Sequence, residues 1–236
     1  VEDFPLYFDA GNERGLACAG LNFPGYAQYE DADVDGKVNV PSYEFPLWVV
    51  GQFASVDEVE EALHNVAITS TPFNDQLEAS MLHWIIGDAK RCIVVEYMAD
   101  GMHIYDNDLQ VLANQPTFPY HRENVRNYIS CTPEFPADVQ WCGDTLAPYG
   151  SGSGMRGLPG DFYSPSRFVR AAYFNAHYPE QKGEQANVLR LFKTLQGAAM
   201  VIGGAKMGDG RFEYTTYTSC YAADTMTYYY QTYEGP

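Results

Sequence analysis

The chain has 236 residues, of which 46% are hydrophobic, 15% aromatic and 19% charged, the composition of a folded domain with a sizeable core rather than of a disordered or membrane-embedded chain. Its 14 Lys and Arg against 31 Asp and Glu give a net charge of −17, which repels phosphate backbones and anionic lipid surfaces, so neither nucleic acid nor a membrane is an expected partner. Trp48–Val50 and Ile93–Val95, the best apolar runs, are strand-sized and far short of the roughly 18 residues that span a bilayer.

In chain order, residues 15–21 read as a buried strand, because small and apolar residues follow one another without a charge until Asn22-Phe23-Pro24-Gly25 turns the chain. Ser55 opens a helix. It forms a capping box with Glu58, and Val56, Val59, Leu63 and Val66 make one apolar stripe. Three strands follow at 82–86, 92–97 and 102–105, broken by Gly87-Asp88-Ala89-Lys90 and Ala99-Asp100-Gly101, which predicts an antiparallel meander. Ser164-Pro165 starts a helix as N-cap and first helical residue, with Phe168, Val169, Ala172, Tyr173 and Ala176 on its buried face. A further helix is predicted over 184–197, then strands at 212–220 and 226–233 joined by a turn at Ala222-Ala223-Asp224. Strands and helices come in separate runs, so the fold class is α+β, in one domain over 1–236.

Most chemistry-bearing patterns have plain readings. Gly152-Ser153-Gly154-Met155-Arg156-Gly157 matches GxGxxG, but it follows no strand, and Pro159-Gly160 interrupts the helix a dinucleotide site needs. The five histidines never come at metal-ligand spacing and read as satisfied or solvated residues; no cofactor is expected. The seven tyrosines between 214 and 233 read as core and edge packing of strands. Five cysteines (18, 92, 131, 142 and 220) without a CxxC fit a reduced, cytoplasmic chain. The opening Val1-Glu2-Asp3-Phe4-Pro5 carries neither an initiator Met nor a signal core, so part of the protein is expected to be missing or removed.

Three features are less ordinary. Asn22-Phe23-Pro24 and Asn114-Gln115-Pro116 each place an Asn at a strand end, one residue before an X-Pro bond that holds the intervening residue extended. Turn chemistry alone accounts for such asparagines, but two fixed amide donors are also what the oxyanion of acyl transfer needs. Arg167 lies in the first turn of the Ser164-Pro165 helix, where a cation opposes the helix dipole at a cost of about 0.3–1 kcal/mol. A surface pairing with Asp161 explains it simply; residues that break local rules are also where function concentrates.

Five stretches in order, 12–24, 43–48, 82–84, 111–118 and 157–168, together resemble the choloylglycine hydrolases and, within them, the bile salt hydrolases. The resemblance spans nearly the whole chain. It implies an N-terminal-nucleophile hydrolase, a four-layer αββα sandwich that cleaves the amide of glycine- or taurine-conjugated bile salts with an amino-terminal cysteine. Position by position it makes Asn22 and Asn114 the oxyanion-hole residues and Arg167 the arginine of the polar network around the nucleophile. The chain departs from the family in lacking that cysteine and in ending early, so it is expected to be an internal fragment, truncated at the N-terminus and at the C-terminus and inactive alone. Ala113, where the family often has Thr, is a smaller departure.

The steroid needs an apolar contact, for which Phe73 and Leu77, in the loop 69–77, are the candidates; ordinary loop packing is the alternative. The segment 131–142 resembles a family arm that crosses subunits of a homotetramer, its Phe135, Val139 and Trp141 having no regular element of their own to bury them. Penicillin V acylase is the nearest rival, but that group tends to carry Tyr where this chain has Asn22. A non-catalytic, aromatic-rich ligand-binding β module is the rival from another class.

Overall fold

The computed structural model describes residues 5–235; the opening Val1-Glu2-Asp3-Phe4, read above as carrying neither an initiator Met nor a signal core, lies outside them. The core is a five-stranded antiparallel sheet in the order β1-β2-β5-β6-β7. Chain order runs through β1 (Asp9–Gly11), β2 (Ala17–Asn22), β3 (Val38–Pro41), α1 (Phe45–Gln52), α2 (Val56–Leu63), β4 (Val66–Thr69), β5 (Leu82–Gly87), β6 (Cys92–Met98) and β7 (Gly101–Asp106). There follow α3 (Phe118–Asn124), β8 (Val139–Trp141), β9 (Asp144–Leu146), α4 (Ser164–His177), α5 (Glu184–Gln196), β10 (Ala205–Lys206), β11 (Phe212–Glu213), β12 (Tyr217–Ala222) and β13 (Thr227–Thr232). The buried strand and the meander fall where the sequence puts them, and the α+β class stands.

Alternation along the central strands divides the core in two. Trp84, Ile86, Ile93 and Val95 pack with Phe45 and Val49 of α1, Val56, Val59 and Leu63 of α2, and the parallel pair β3-β4. Val94 instead joins Val111, Phe118, Phe168, Ala171 and Ala172 in a second cluster, which seats α3 and α4. That second cluster positions the site.

Several expectations are corrected. Trp48–Val50, a run of strand-like length, belongs to the helix α1, which is apolar on most sides and lies against the sheet. The α2 stripe ends at Leu63, and Val66 begins β4. Ser55 does cap α2, accepting from Glu58 N at 3.3 Å, but the Glu58 carboxylate reaches back to Ala54 N (2.8 Å) rather than to the cap itself. Ser164 is the first residue of α4, with Tyr163 at the cap and Pro165 one position further in. Its hydroxyl is drawn away to Asn114 O (2.9 Å), while the Asp161 carboxylate accepts from Tyr163 N and Ser166 Oγ instead. Ala176 is exposed, and the buried face of α4 takes Ala171 and Arg170 instead.

The strand read at 212–220 is two strands, β11 and β12. Between them Thr215 is captured by Met200, N to O at 3.0 Å and Met200 N to Thr215 Oγ1 at 2.9 Å, which diverts the backbone. The tyrosines of this tail are edge residues whose hydroxyls tie the β12-β13 hairpin down: Tyr217 and Tyr228 donate to Asp9, Tyr221 to Asn12 O and Tyr229 to Glu184. None of the seven belongs to either core cluster: Tyr214, Tyr217, Tyr228, Tyr230 and Tyr233 are exposed, and Tyr221 and Tyr229 are half-buried. The 131–142 segment also has an element of its own, because β8 and β9 pair as a short hairpin.

Candidate active site

Asn22, Asn114 and Arg167, 92 and 53 residues apart along the chain, line one open cleft of about 490 Å³, with Tyr163, Met200 and Glu213 on its other walls. Asn22 ends β2, where Phe23 turns inward to full burial and Gly25 takes a positive φ of 80° to close the turn. Asn114 does not end a strand as the sequence suggested; it sits in the connection between β7 and α3, followed by a cis Gln115–Pro116 bond.

The Asn114 side chain is held at both ends. Its Oδ1 accepts from Arg167 Nη2 at 2.6 Å, and its Nδ2 donates to the backbone carbonyl of Asn22 at 3.1 Å. Because guanidinium only donates and a carbonyl only accepts, the amide can have one orientation. A primary amide nitrogen carries two N–H bonds, so one remains for the cleft. Arg167 also donates from Nε to Phe162 O (3.0 Å), the carbonyl just ahead of α4, which offsets its unfavourable place in the helix dipole. It does not pair with the Asp161 carboxylate. Burial pulls its pKa below the usual range, against the raising field of Glu213 across the cleft.

The backbone of Asn114 is clamped as closely. Its own carbonyl accepts from His121 Nε2 (2.7 Å) and Ser164 Oγ (2.9 Å). The preceding carbonyl, Ala113 O, accepts from His83 Nε2 at 2.8 Å. His83 and Glu96 are both fully buried, Nδ1 to Oε1 at 3.0 Å, and the same Oε1 takes the Phe118 N–H that opens α3 at 2.7 Å. Sequence reasoning missed these residues by treating histidines singly. The signal was a histidine and a glutamate each set in an otherwise apolar strand of one meander.

His121 yields a pH prediction. It stacks on Phe168 with ring centroids 4.7 Å apart, and its Nδ1 is buried without a partner, so a second proton would be a buried donor with nothing to bond. Burial pushes its pKa down to about 4, against the raising effect of the Asn114 carbonyl. A group with a folded pKa below its unfolded value near 6.5 contributes stability that is complete above pH 6.5 and lost as pH falls from there toward 4. The loss should approach about 3 kcal/mol. Denaturant midpoints between pH 7 and pH 4 should therefore fall more steeply for the native protein than for His121→Gln, which keeps an N–H donor and cannot titrate; parallel curves would refute the assignment.

Phe73 and Leu77 are not brought to the cleft. They face each other at the tip of the 69–77 loop, Phe73 N to Leu77 O at 3.0 Å, with the Phe73 ring edge-on to Tyr43. Among the described residues no group of three His, Cys, Asp or Glu is arranged to hold a metal ion, and no helix is long and apolar enough to cross a membrane. Burial raises the pKa of Cys18, of Cys92 to about 12, and of Cys220, so none of these three is an activated thiol.

The class is that of enzymes cleaving linear amide C–N bonds: residues 1–236 match the family described as linear amide C–N hydrolases, choloylglycine hydrolase family. The chain belongs to the choloylglycine hydrolase family. It is 57% identical over 236 residues to a bile salt hydrolase/transferase of Bifidobacterium longum subsp. longum, covering 100% of this chain and 74% of that protein. With a conjugated bile acid hydrolase of Lactobacillus acidophilus it shares 44% identity over 230 residues, 97% of this chain and 73% of the relative. Among solved structures, a conjugated bile acid hydrolase variant from Clostridium perfringens superposes with a TM-score of 0.93 at 37% identity, covering 99% and 72% of the two chains. Penicillin V acylase from Agrobacterium tumefaciens shares the fold at a TM-score of 0.73 and 20% identity, covering 98% and 64%. The fold is thus the N-terminal-nucleophile hydrolase fold that these amidases share.

Proposed function

We propose that the protein to which this chain belongs hydrolyses the amide bond of glycine- or taurine-conjugated bile salts, releasing free bile acid and amino acid. The observation that carries this reading is the 57% identity over all 236 residues, 74% of the length of the Bifidobacterium longum bile salt hydrolase/transferase. A thiolate from the amino-terminal cysteine of the family, contributed from outside residues 1–236, attacks the amide carbonyl. As the carbonyl oxygen becomes an oxyanion, the free Nδ2–H of Asn114 and the amide of Asn22 bond to it; Arg167 keeps the Asn114 amide turned the right way. The α-amine of that cysteine, which took the thiol proton, returns it to the nitrogen as the C–N bond breaks and the amino acid leaves; water then attacks the thioester carbon, releasing the free bile acid and restoring the thiol. Phe73 and Leu77 are the proposed steroid contacts, supplied from a separate loop. Asn22 favours this substrate over penicillin V.

The test is release of glycine from glycocholate and of taurine from taurocholate by the complete purified protein, with penicillin V as comparison. Turnover of neither conjugate would refute the reading, and faster cleavage of penicillin V would move the protein to the rival group.

The enzyme is further proposed to act in the cytoplasm, its five cysteines being free, and to assemble as a homotetramer through 131–142. In support, Phe135, Val139 and Trp141 are 61%, 50% and 69% exposed, as an arm awaiting a neighbour requires. Replacing Phe135 and Trp141 by Ser in the complete protein should shift its mass by light scattering from tetramer to dimer or monomer; an unchanged tetramer would defeat the arm.

A further inference from the structure

We propose that the buried His83–Glu96 pair is a positioning device for the oxyanion donor Asn114, acting through the Ala113 carbonyl; this rests on the reading of Asn114 given above. The Ala113 carbonyl and the Asn114 N–H belong to one planar peptide unit, so the bond from His83 Nε2 to Ala113 O (2.8 Å) fixes the plane from which the Asn114 side chain departs. On its far side Asn114 is fixed by His121 and Ser164 on its own carbonyl. The segment between, up to the start of α3, is tied to the sheet by Phe118 N on Glu96 Oε1.

The protons can be counted. Ala113 O only accepts, so His83 Nε2 carries a hydrogen. Glu96 Oε1 already accepts from Phe118 N, and its 3.0 Å contact with His83 Nδ1 holds one further proton, on one side or the other. The pair therefore has no net charge; the Ala113 carbonyl requires the Nε2 hydrogen, and Glu96 on the opposite ring nitrogen holds the ring plane of His83. Phe23, the residue following Asn22, stacks on the His83 ring at 4.2 Å and 8°. One imidazole thus contacts a neighbour of each asparagine, the backbone carbonyl before Asn114 and the ring of the residue after Asn22. Glu96 Oε2 is buried with no hydrogen-bond partner, so the pair is a poor stabiliser, since incompletely satisfied buried ion pairs are often matched by apolar packing.

The experiment is a double-mutant cycle in the complete protein, with kcat, KM and melting temperature for His83→Phe, Asn114→Ala and the combination. Displacing a catalytic group by a fraction of an ångström to an ångström costs up to about 100-fold, so His83→Phe should lower kcat about 10- to 100-fold with KM within about twofold. In the Asn114→Ala background the same change should have almost no further effect on kcat. A fully additive loss would overturn the inference while leaving Asn114 in place. An Asn114→Ala enzyme with native kcat would remove the reading on which it rests. Should His83→Phe not fold, His83→Gln and His83→Asn decide the matter: the Gln amide can reach Ala113 O and the Asn amide only Glu96. Higher kcat for Gln than Asn, at similar melting temperatures, is the expected order, and the reverse order or equal rates would overturn the inference.

Discussion

Asn114→Ala in the complete enzyme should lower kcat on glycocholate by about 10²–10³-fold, the range for loss of one oxyanion-hole donor, while KM changes little. The ground-state carbonyl is a weak acceptor and the oxyanion a strong one, so a donor aimed at that oxygen acts mostly on the transition state. What makes Asn114 the larger of the two asparagine effects is its preorganisation. Its Oδ1 is held by Arg167 at 2.6 Å, its Nδ2 by Asn22 O at 3.1 Å, and its carbonyl by His121 and Ser164. Little reorganisation remains to be made at the moment of reaction. The Asn22 side chain ends an exposed strand tip, and its amide takes part in no hydrogen bond among the described residues. Steady-state kinetics on Asn114→Ala beside Asn22→Ala checks this, the second expected to lose less kcat: an unchanged kcat with a raised KM for Asn114→Ala would reassign it to substrate binding.

The parts of the fold that could be read from sequence are those fixed locally. Ser55 with Glu58 marks α2, and the turns at 87–90 and 99–101 mark the meander, because caps and tight turns depend on a few adjacent residues. Helix α1 escaped because a short helix that is apolar on most sides has no polar face to reveal its period, and a run such as Trp48–Val50 shows only its length. The members of the candidate site could be picked out singly, but not the cleft that brings them together. Two asparagines before X-Pro bonds and an arginine at a helix start stood out one by one, whereas the cleft joins the end of β2 to a connection and to α4. The clamp behind them was within reach of a register argument. His83 lies four residues before Gly87 and Glu96 four after its partner Cys92, so the antiparallel register sets them opposite each other, on the face that carries Val94. Two polar residues opposed on a buried face of one meander need a common partner, and weighing each alone concealed that.

Arg167→Met should lower kcat about 10- to 100-fold, again with KM nearly unchanged, although Arg167 is expected to touch the reaction only through Asn114. Met approximates the length and apolar stem of Arg but provides no donor, so Asn114 Oδ1 and Phe162 O each lose a bond. Without the guanidinium, nothing opposes a half-turn of the Asn114 amide except its single bond to Asn22 O, worth about 1 kcal/mol. In the turned state, about one molecule in six at that preference, the oxygen, not the N–H, faces the oxyanion and the enzyme is silent. The larger part of the loss comes from the amide no longer held in place, whose displacement by up to about an ångström costs up to about 100-fold. The loss should therefore be smaller than for Asn114→Ala, and Arg167→Met in an Asn114→Ala background should cost little more in kcat. Arg167→Lys separates geometry from charge: a single ammonium cannot serve both Phe162 O and Asn114 Oδ1 in the fixed fork of a guanidinium, so only partial recovery is expected. Full recovery by Lys would make the positive charge itself, in balance with Glu213, the operative feature. Additive losses in the double variant would show Arg167 acting on the substrate directly rather than through the amide it holds.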